Sequence, residues 1–312
     1  MKKVLVTGGL GFIGSNLVES LSTNNRVVVV DNLSSQRKDY QNIQRKNKGV
    51  EYIFDCFASE KILKRIRSAE FDCIFHLAAF PRVSYSVEYP VDTTQNNVFN
   101  TIKLIEASVG NTRRFVFSSS SSVYGGSENL PTDETHKKQP KSPYAWQKSC
   151  IEDFLIMSSD LYDLDSVSLR YFNVFGPGQY GDSAYATAVS AWCHAIKNNM
   201  QLRKDGTGEQ TRDMCYVDNV VQANILAQNF EGTFKGESLN VACAQRVSNN
   251  EILEFLDNNF NGLKIKHSDF RPGDVMHTLA DIDTTKKILG YSPEVYFWEG
   301  LEKTLSWWGL SK

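Results

Sequence analysis

A chain of 312 residues with 41% apolar and 22% charged side chains buries enough surface to offset the entropy of ordering most of its length, which excludes a disordered protein. Its 34 Lys and Arg nearly cancel 36 Asp and Glu, with no long block of either sign, so nothing in the charge asks for nucleic acid or an anionic membrane. Six scattered cysteines form no CxxC pair and His136, His194, His267 and His277 have no ligand spacing, which points to reduced thiols in a cytoplasmic enzyme and to no metal.

Lys2 and Lys3 precede an apolar stretch as in a signal peptide. Glycines break that stretch at once and no small-residue cleavage site follows, so it reads as a strand. No apolar run is long enough to cross a bilayer. Lys3 to Thr7 is β-branched, Gly8 to Gly14 is a glycine-rich turn, Ser15 to Leu21 starts a helix, and Arg26 to Val30 is a second strand ending at Asp31. Further strands are expected at Tyr52 to Phe54, Cys73 to Leu77, Phe115 to Ser118 and Ser166 to Leu169. Helices are expected near Ser59 to Ser68, Asn96 to Val109 and Tyr144 to Ser159. This alternation specifies an α/β, Rossmann-type parallel sheet with helices on both faces.

After about Phe175 the rhythm changes. Helical segments at Ala184 to Lys197, Val217 to Gln228, Asn249 to Asn258, Asp283 to Leu289 and Phe297 to Trp308, with strands at Leu239 to Val241 and Lys264 to His267, describe a smaller mixed α/β lobe. The division expected is 1–175 for the sheet domain and 176–312 for the lobe, whose elements need not all stay on their own side of that boundary. Trp298, Trp307 and Trp308 are expected to serve packing.

Glycines recur at every third position in Gly8-Gly9-Leu10-Gly11-Phe12-Ile13-Gly14, between a strand and a helix. Gly8 makes the tight turn, Gly11 lets backbone approach a pyrophosphate, and Gly14 lets the helix pack close to the sheet. The helix N-terminus then offers free N–H groups to phosphates. Asp31 closes the second strand. An acid there accepts ribose hydroxyls and repels a 2′-phosphate, and neighbouring Asn32 adds no positive charge, so NAD is favoured over NADP.

The serine run Ser118 to Ser122 ends a strand, and Tyr144-Ala145-Trp146-Gln147-Lys148 opens a helix. Residues four apart share a helix face, so Lys148 reaches the region beside Tyr144. A nearby ammonium is expected to lower the tyrosine pKa and give a usable general base or acid. His76, after a buried strand, reads as a packing and hydrogen-bonding residue.

With these motifs in order, the chain resembles the extended short-chain dehydrogenase/reductase family, and within it the nucleotide-sugar epimerases. The matching segments are Thr7 to Gly14, His76 to Ala79, Ser118 to Gly125, Tyr144 to Lys148, Leu169 to Asn173, Arg212-Asp213 with Tyr216-Val217-Asp218, and Arg271-Pro272-Gly273-Asp274. The resemblance implies an isomerase in which Tyr144 moves the sugar hydroxyl proton while NAD takes the ring hydride, Lys148 holds the nicotinamide ribose, and Ser120 binds the reacting hydroxyl with help from Ser121 or Ser122. It gives NAD to Gly8, Gly11, Phe12, Ile13, Gly14, Asp31, Asn32, Leu77, Ala78 and Ala79, the adenine to Asp55, and a place in the cofactor-side scaffold to Asn97. A UDP-sugar would be met by Arg82, Asn173, Arg212, Arg271, Asp274 and Thr278, with Asn173, Arg212 and Arg271 at the diphosphate and Asp274 at the uridine ribose. One departure is Asn100, where the family carries glycine. The family also implies a homodimer, built through the helices near Asn97 to Val109 and Tyr144 to Ser159.

Dehydratase relatives place Asp and Glu after the catalytic serine or threonine, and decarboxylating relatives keep a glutamate there. This chain has Ser121 and Ser122, which argues against both. The expected reaction is C4 epimerisation of UDP-N-acetylglucosamine and UDP-N-acetylgalactosamine, with UDP-glucose and UDP-galactose also admitted. Thr278 carries that choice, since relatives restricted to the plain hexose have a bulky tyrosine at the matching position. The resemblance of Gly208 to Asp213 and of Asn219 to Gln222 to the acetamido-sugar epimerases points the same way. A UDP-glucuronate 4-epimerase, suggested by the run Ser119 to Gly125 and by Arg82 or His277 as carboxylate partners, and a non-catalytic NAD sensor stand as the alternatives.

Overall fold

The computed structural model describes residues 1–34, 47–126, 129–182, 186–270 and 275–310. The first stretch runs β1 (Lys2–Thr7), α1 (Phe12–Leu21), β2 (Asn25–Val30), β3 (Glu51–Ile53), α2 (Glu60–Arg67), β4 (Cys73–His76), α3 (Val83–Glu88), α4 (Pro90–Thr94), α5 (Asn100–Ser108), β5 (Arg114–Ser120), α6 (Pro143–Tyr162) and β6 (Ser166–Tyr171). The second runs β7 (Val174–Phe175), α7 (Ala188–Lys197), β8 (Leu202–Asp205), β9 (Thr211–Asp213), β10 (Cys215–Tyr216), α8 (Val217–Asn229), β11 (Lys235–Val241), β12 (Arg246–Ser248), α9 (Asn249–Asn259), β13 (Ile265–Ser268), α10 (Asp283–Leu289) and α11 (Phe297–Trp308). None of the described helices is long and apolar enough to cross a membrane.

Seven strands form one sheet in the order β11-β6-β5-β4-β1-β2-β3, every neighbour pair parallel. The strands are near-continuous apolar runs because both faces are covered. Val4, Val6, Val27 and Val29 pack on one face with Leu17 and Val18 of α1 and Val220, Ala223 and Ala227 of α8. Leu5, Val28, Ile74, Phe115 and Phe117 pack on the other with Ile62 and Ile66 of α2, Leu104 of α5, and Ile151 and Leu155 of α6. Burying each such large side chain stabilises by roughly 1.5–3 kcal/mol. A further core joins α7, α9 and α11 through Trp192, Leu253, Leu256, Leu301 and Leu305. Ser248 and Glu251 close a capping box on α9.

The elements expected from the pattern are present within a few residues of where periodicity put them. Other features were not readable. The short helices α3 and α4 follow an apolar pattern too brief to show a period, and a π-type turn (Gln95–Phe99) carries α4 into α5. The strand pairs β7 with β10 and β9 with β12 span only two or three residues. β11 joins the main sheet beside β6, so α8 covers a face of that sheet. Of the C-terminal tryptophans, Trp308 is buried at 7% exposure whereas Trp298 is 41% exposed.

Tight backbone contact fixes the loop after β1. Gly8 has φ +70°, and a Cβ there would meet the Ala78 backbone at 2.8 Å. The constraint on Gly14 lies in the loop itself: its Cβ would sit 2.1 Å from the Gly8 carbonyl oxygen and 2.8 Å from Gly9 Cα. Gly14→Ala should therefore cost about 1–3 kcal/mol by overpacking and lower the melting temperature by several degrees in calorimetry. Gly11→Ala, whose Cβ would meet only Gly8 O at 3.2 Å, should lower the melting temperature less than Gly14→Ala does. Equal melting temperatures for wild type and Gly14→Ala would refute this account of the loop.

Candidate active site

The carboxyl ends of the strands open into one cleft of about 910 Å³. It lies where the strand order reverses, between β1 and β4, the position at which open parallel sheets bind ligands. On the β2 and β3 side its wall is Gly8, Gly11, Phe12, Ile13, Gly14, Asp31, Asn32 and Asp55. In the middle are Leu77, Ala78, Ala79, Ser118 to Ser122, Tyr144 and Lys148. Towards β6 are Arg82, Asn173, Arg212 and Thr278.

The first group fits a dinucleotide. No side chain caps the N-terminus of α1, which leaves its first N–H groups for an anion. Asp31 is held in place by Leu10 N at 3.0 Å and Leu33 N at 2.8 Å, and burial raises its pKa against the pull of those two bonds. Asp55 is similarly fixed, accepting from Cys56 N at 2.7 Å and Ser59 Oγ at 2.8 Å. Asn97 stands behind the wall: it bridges both backbone groups of Phe80, at 2.8 and 3.1 Å, and donates to Gln147 Oε1 at 2.8 Å. These bonds make Asn97 part of the scaffold behind the cleft wall.

Tyr144 and Lys148 sit one turn apart on α6, which starts cleanly because Ser142 Oγ accepts from Ala145 N and Pro143 occupies the first turn. The Ser120 side chain and the charge of Arg82 both act on the Tyr144 hydroxyl, each drawing its pKa down. Lys148 directs Nζ to the Ser118 carbonyl at 2.6 Å and lies 4.6 Å from the Phe117 ring centre and 5.8 Å from that of Tyr144. The pKa of Tyr144, expected to fall beside Lys148, is instead pushed up to about 12, because burial outweighs the pull of Ser120 and Arg82. Burial also brings Lys148 down to about 7, against the pull of Glu152. Proximity on the helix was read correctly, but the ammonium is aimed at a carbonyl.

His76 is buried between the Thr7 and Thr101 hydroxyls, at 2.7 and 2.8 Å, with its pKa well below the ordinary value through burial and then Lys148. That is a packing residue. At the far end, Thr278 Oγ1 accepts from Asn173 Nδ2 at 3.2 Å and Asp213 N at 3.1 Å. Arg212 Nη1 donates to the carbonyls of Thr211 at 3.0 Å and Met276 at 3.2 Å. Asp213 is wholly buried, its carboxylate taking Cys243 N and Ala280 N at 3.0 Å each, and burial pushes its pKa up to about 7. It ties β9 to the two segments beside it. Arg271 and Asp274 lie outside the described residues.

Among the described lining residues the carboxylates are Asp31 and Asp55, both on the nucleotide-fold side. Sequence reasoning missed Phe80, Lys141, Gln179, Tyr180 and Thr187, which also line the cleft. They stand on or beside loops and carry no motif, so spacing gave no signal for them.

The family described as GDP-mannose 4,6 dehydratase matches residues 5–304. A UDP-N-acetylglucosamine 4-epimerase from Methanobrevibacter ruminantium, solved in complex with UDP-N-acetylmuramic acid, is 37% identical with a TM-score of 0.91, over 98% of this chain and 97% of its own. The chain belongs to the NAD-dependent nucleotide-sugar 4-epimerases of the extended short-chain dehydrogenase/reductase family. A putative UDP-glucose 4-epimerase from Methanocaldococcus jannaschii is 33% identical over 309 residues, 97% of each chain. A UDP-glucuronic acid 4-epimerase from Bacillus cereus, solved with UDP-glucuronic acid and NAD, is 28% identical with a TM-score of 0.89, over 98% of this chain and 99% of its own. As a member of this epimerase family the chain acts with NAD on UDP-hexoses. The matched family is named for a dehydratase, yet no described carboxylate lines the cleft beside Ser120 and Tyr144 to expel water.

Proposed function

We propose that this epimerase interconverts UDP-N-acetylglucosamine and UDP-N-acetylgalactosamine at C4, and accepts UDP-glucose and UDP-galactose as smaller substrates. The observation that carries the reaction is the convergence of Ser120, Tyr144 and Lys148 in the middle of one cleft that has no described carboxylate beside them. NAD, when bound, would supply the hydride acceptor and donor for C4. Ser120 holds the 4-hydroxyl, and Tyr144 takes its proton and gives it back. Lys148 fixes the nicotinamide ribose from one turn along the helix, and Arg82 offsets the burial of the phenol. Asn173 and Arg212 anchor the diphosphate, for which a planar guanidinium fork is suited. With the nucleotide held and the sugar loose, the ring would be free to turn either face towards the cofactor side of the cleft. Arg271 and Asp274 are assigned to the diphosphate and the uridine ribose from sequence.

Substrate size is assigned to Thr278, which lines the cleft next to Asn173. A tyrosine ring there would compete for space with a 2-acetamido group at about 1–3 kcal/mol. The similarity to the Methanobrevibacter ruminantium enzyme supports this choice. UDP-glucuronate is the second reading, supported by Arg82 beside Tyr144 and by the Bacillus cereus likeness. We also assign a homodimer to the helices α5 and α6, supported by apolar side chains exposed on or near them: Phe99 at 56%, Trp146 at 48% and Leu161 at 63%. Such a face resembles a helix-bundle interface.

Tyr144→Phe, folded and with its NAD retained, should lose at least about 100-fold in kcat; near-normal turnover would assign the proton to another group. Incubation with the three UDP-sugars separately, followed by chromatography of the epimers, should give the acetamido pair the highest kcat/KM. Turnover confined to UDP-glucuronate would overturn that. Thr278→Tyr should depress acetamido-sugar turnover roughly tenfold more than hexose turnover, whereas Thr278→Val, which removes only the two hydrogen bonds, should lower both alike. A parallel loss for both sugars in Thr278→Tyr would remove this residue as the gate. In sedimentation velocity the wild type should run as a dimer and Trp146→Asp as a monomer; a monomeric wild type would end the dimer assignment.

A further inference from the structure

A buried charge cluster lies directly behind the residues assigned to chemistry. Glu152 of α6 is 0% exposed. Its Oε1 accepts from Ser119 Oγ at 2.5 Å and Arg170 Nε at 2.9 Å, and its Oε2 accepts from Arg170 Nη2 at 2.7 Å. Lys138 Nζ lies 3.5 Å from the same oxygen. Ser119 and Arg170 are register partners on the parallel neighbours β5 and β6, so one carboxylate clamps both strands. Arg170 Nη1 continues to Tyr124 Oη at 2.8 Å, and Tyr124 donates to Asn240 Oδ1 at 2.7 Å.

Tyr144, Lys148 and Glu152 recur at every fourth position, one stripe of the helix. That stripe meets three successive residues of β5: the Ser118 carbonyl takes Lys148, Ser119 bonds Glu152, and Ser120 acts on the Tyr144 phenol. A buried ion pair adds little to stability compared with apolar side chains of the same volume, so stability alone is a weak account of it. Its placement on the residue next to Ser120 is a better one. We propose that Glu152 is a positioning residue for the epimerisation: it fixes the strand end that presents Ser120 and holds a negative charge one helical turn from Lys148. This rests on the roles given above to Tyr144 and Lys148.

The surrounding charges set the sign of the test. Burial lowers the Lys148 pKa to about 7 and Glu152 opposes that fall. His76 faces the ammonium from β4 and is neutral, its pKa held well below the usual value. Tyr144 shares the helix face, while Arg170, Lys138 and Tyr124 surround Glu152. Lys138 keeps its pair with Asp153 at 2.5 Å, so removing the Glu152 charge leaves the Arg170 guanidinium without its carboxylate, and Lys148 then gives up its proton at lower pH.

The experiment compares Glu152→Gln, Ser119→Ala and Tyr144→Phe with wild type, each checked for melting temperature and NAD content, by kcat, KM and the pH profile of kcat. Glu152→Gln should lower kcat roughly ten- to a hundredfold, leave KM for the UDP-sugar within about twofold, and move the alkaline limb about one pH unit towards acid. Ser119→Ala leaves the Glu152 and Arg170 pair intact, and should lower kcat roughly fivefold with KM and the limb unmoved. A folded, NAD-loaded Glu152→Gln whose limb stays in place overturns the proposal. If Glu152→Gln does not fold, Ser119→Ala decides: unchanged kcat overturns the proposal and the fivefold loss upholds it. An active Tyr144→Phe overturns the underlying reading of the site, whereas an inactive one beside a Glu152→Gln of wild-type kcat and pH profile overturns Glu152 alone.

Discussion

The chain leaves β1 in one direction across the sheet and β4 in the other, and the crevice between those departures is where Asp31, Asp55, Ser120, Tyr144, Lys148 and Arg212 converge. That seam is held shut at its base by backbone against backbone, with Gly8 so close to Ala78 that no Cβ fits between them. Widen the seam by one methyl group and the loop that faces the cofactor shifts, along with the N-terminus of α1. The middle of the cleft depends on it too, since Leu77 N bonds to Thr7 O at 3.2 Å and Ala78 N to the Thr7 hydroxyl at 3.3 Å.

Local period and local turn chemistry were legible in the sequence. The glycine triplet, the four-valine strand Val27 to Val30 and the Tyr144 to Lys148 spacing each depend on neighbours within a few residues, and each appears where it was read. What stayed hidden was set by long-range packing. Thr278 and Asn173 touch across 105 positions, and the pairing of β11 with β6 needs a strand edge that no local pattern announces. The Tyr144 phenol shows the same limit in its electrostatics. Spacing put a cation nearby, but depth of burial and the direction of the Lys148 ammonium decide the shift, and neither is a property of sequence spacing.

Two kinds of buried carboxylate serve this site. Asp213 takes backbone N–H groups and, among the described residues, no ion pair, so its role is to join segments at the substrate end. Glu152 is surrounded by cations and a hydroxyl, so it carries charge to the middle of the cleft. A burial so deep is tolerated in both because each carboxylate oxygen is occupied by donors.

The return of β11 also bears on how the chain is made. As it leaves the ribosome, β6 is complete long before residues 235–241 appear, and until then β6 offers a bare edge of unpaired backbone groups of the kind that invites pairing with another chain. The hydroxyl of Tyr124 likewise waits for Asn240. Synthesis therefore passes through a stage in which most of the sheet exists with one side unsealed, and that interval is when a nascent chain of this fold is most exposed to misassembly.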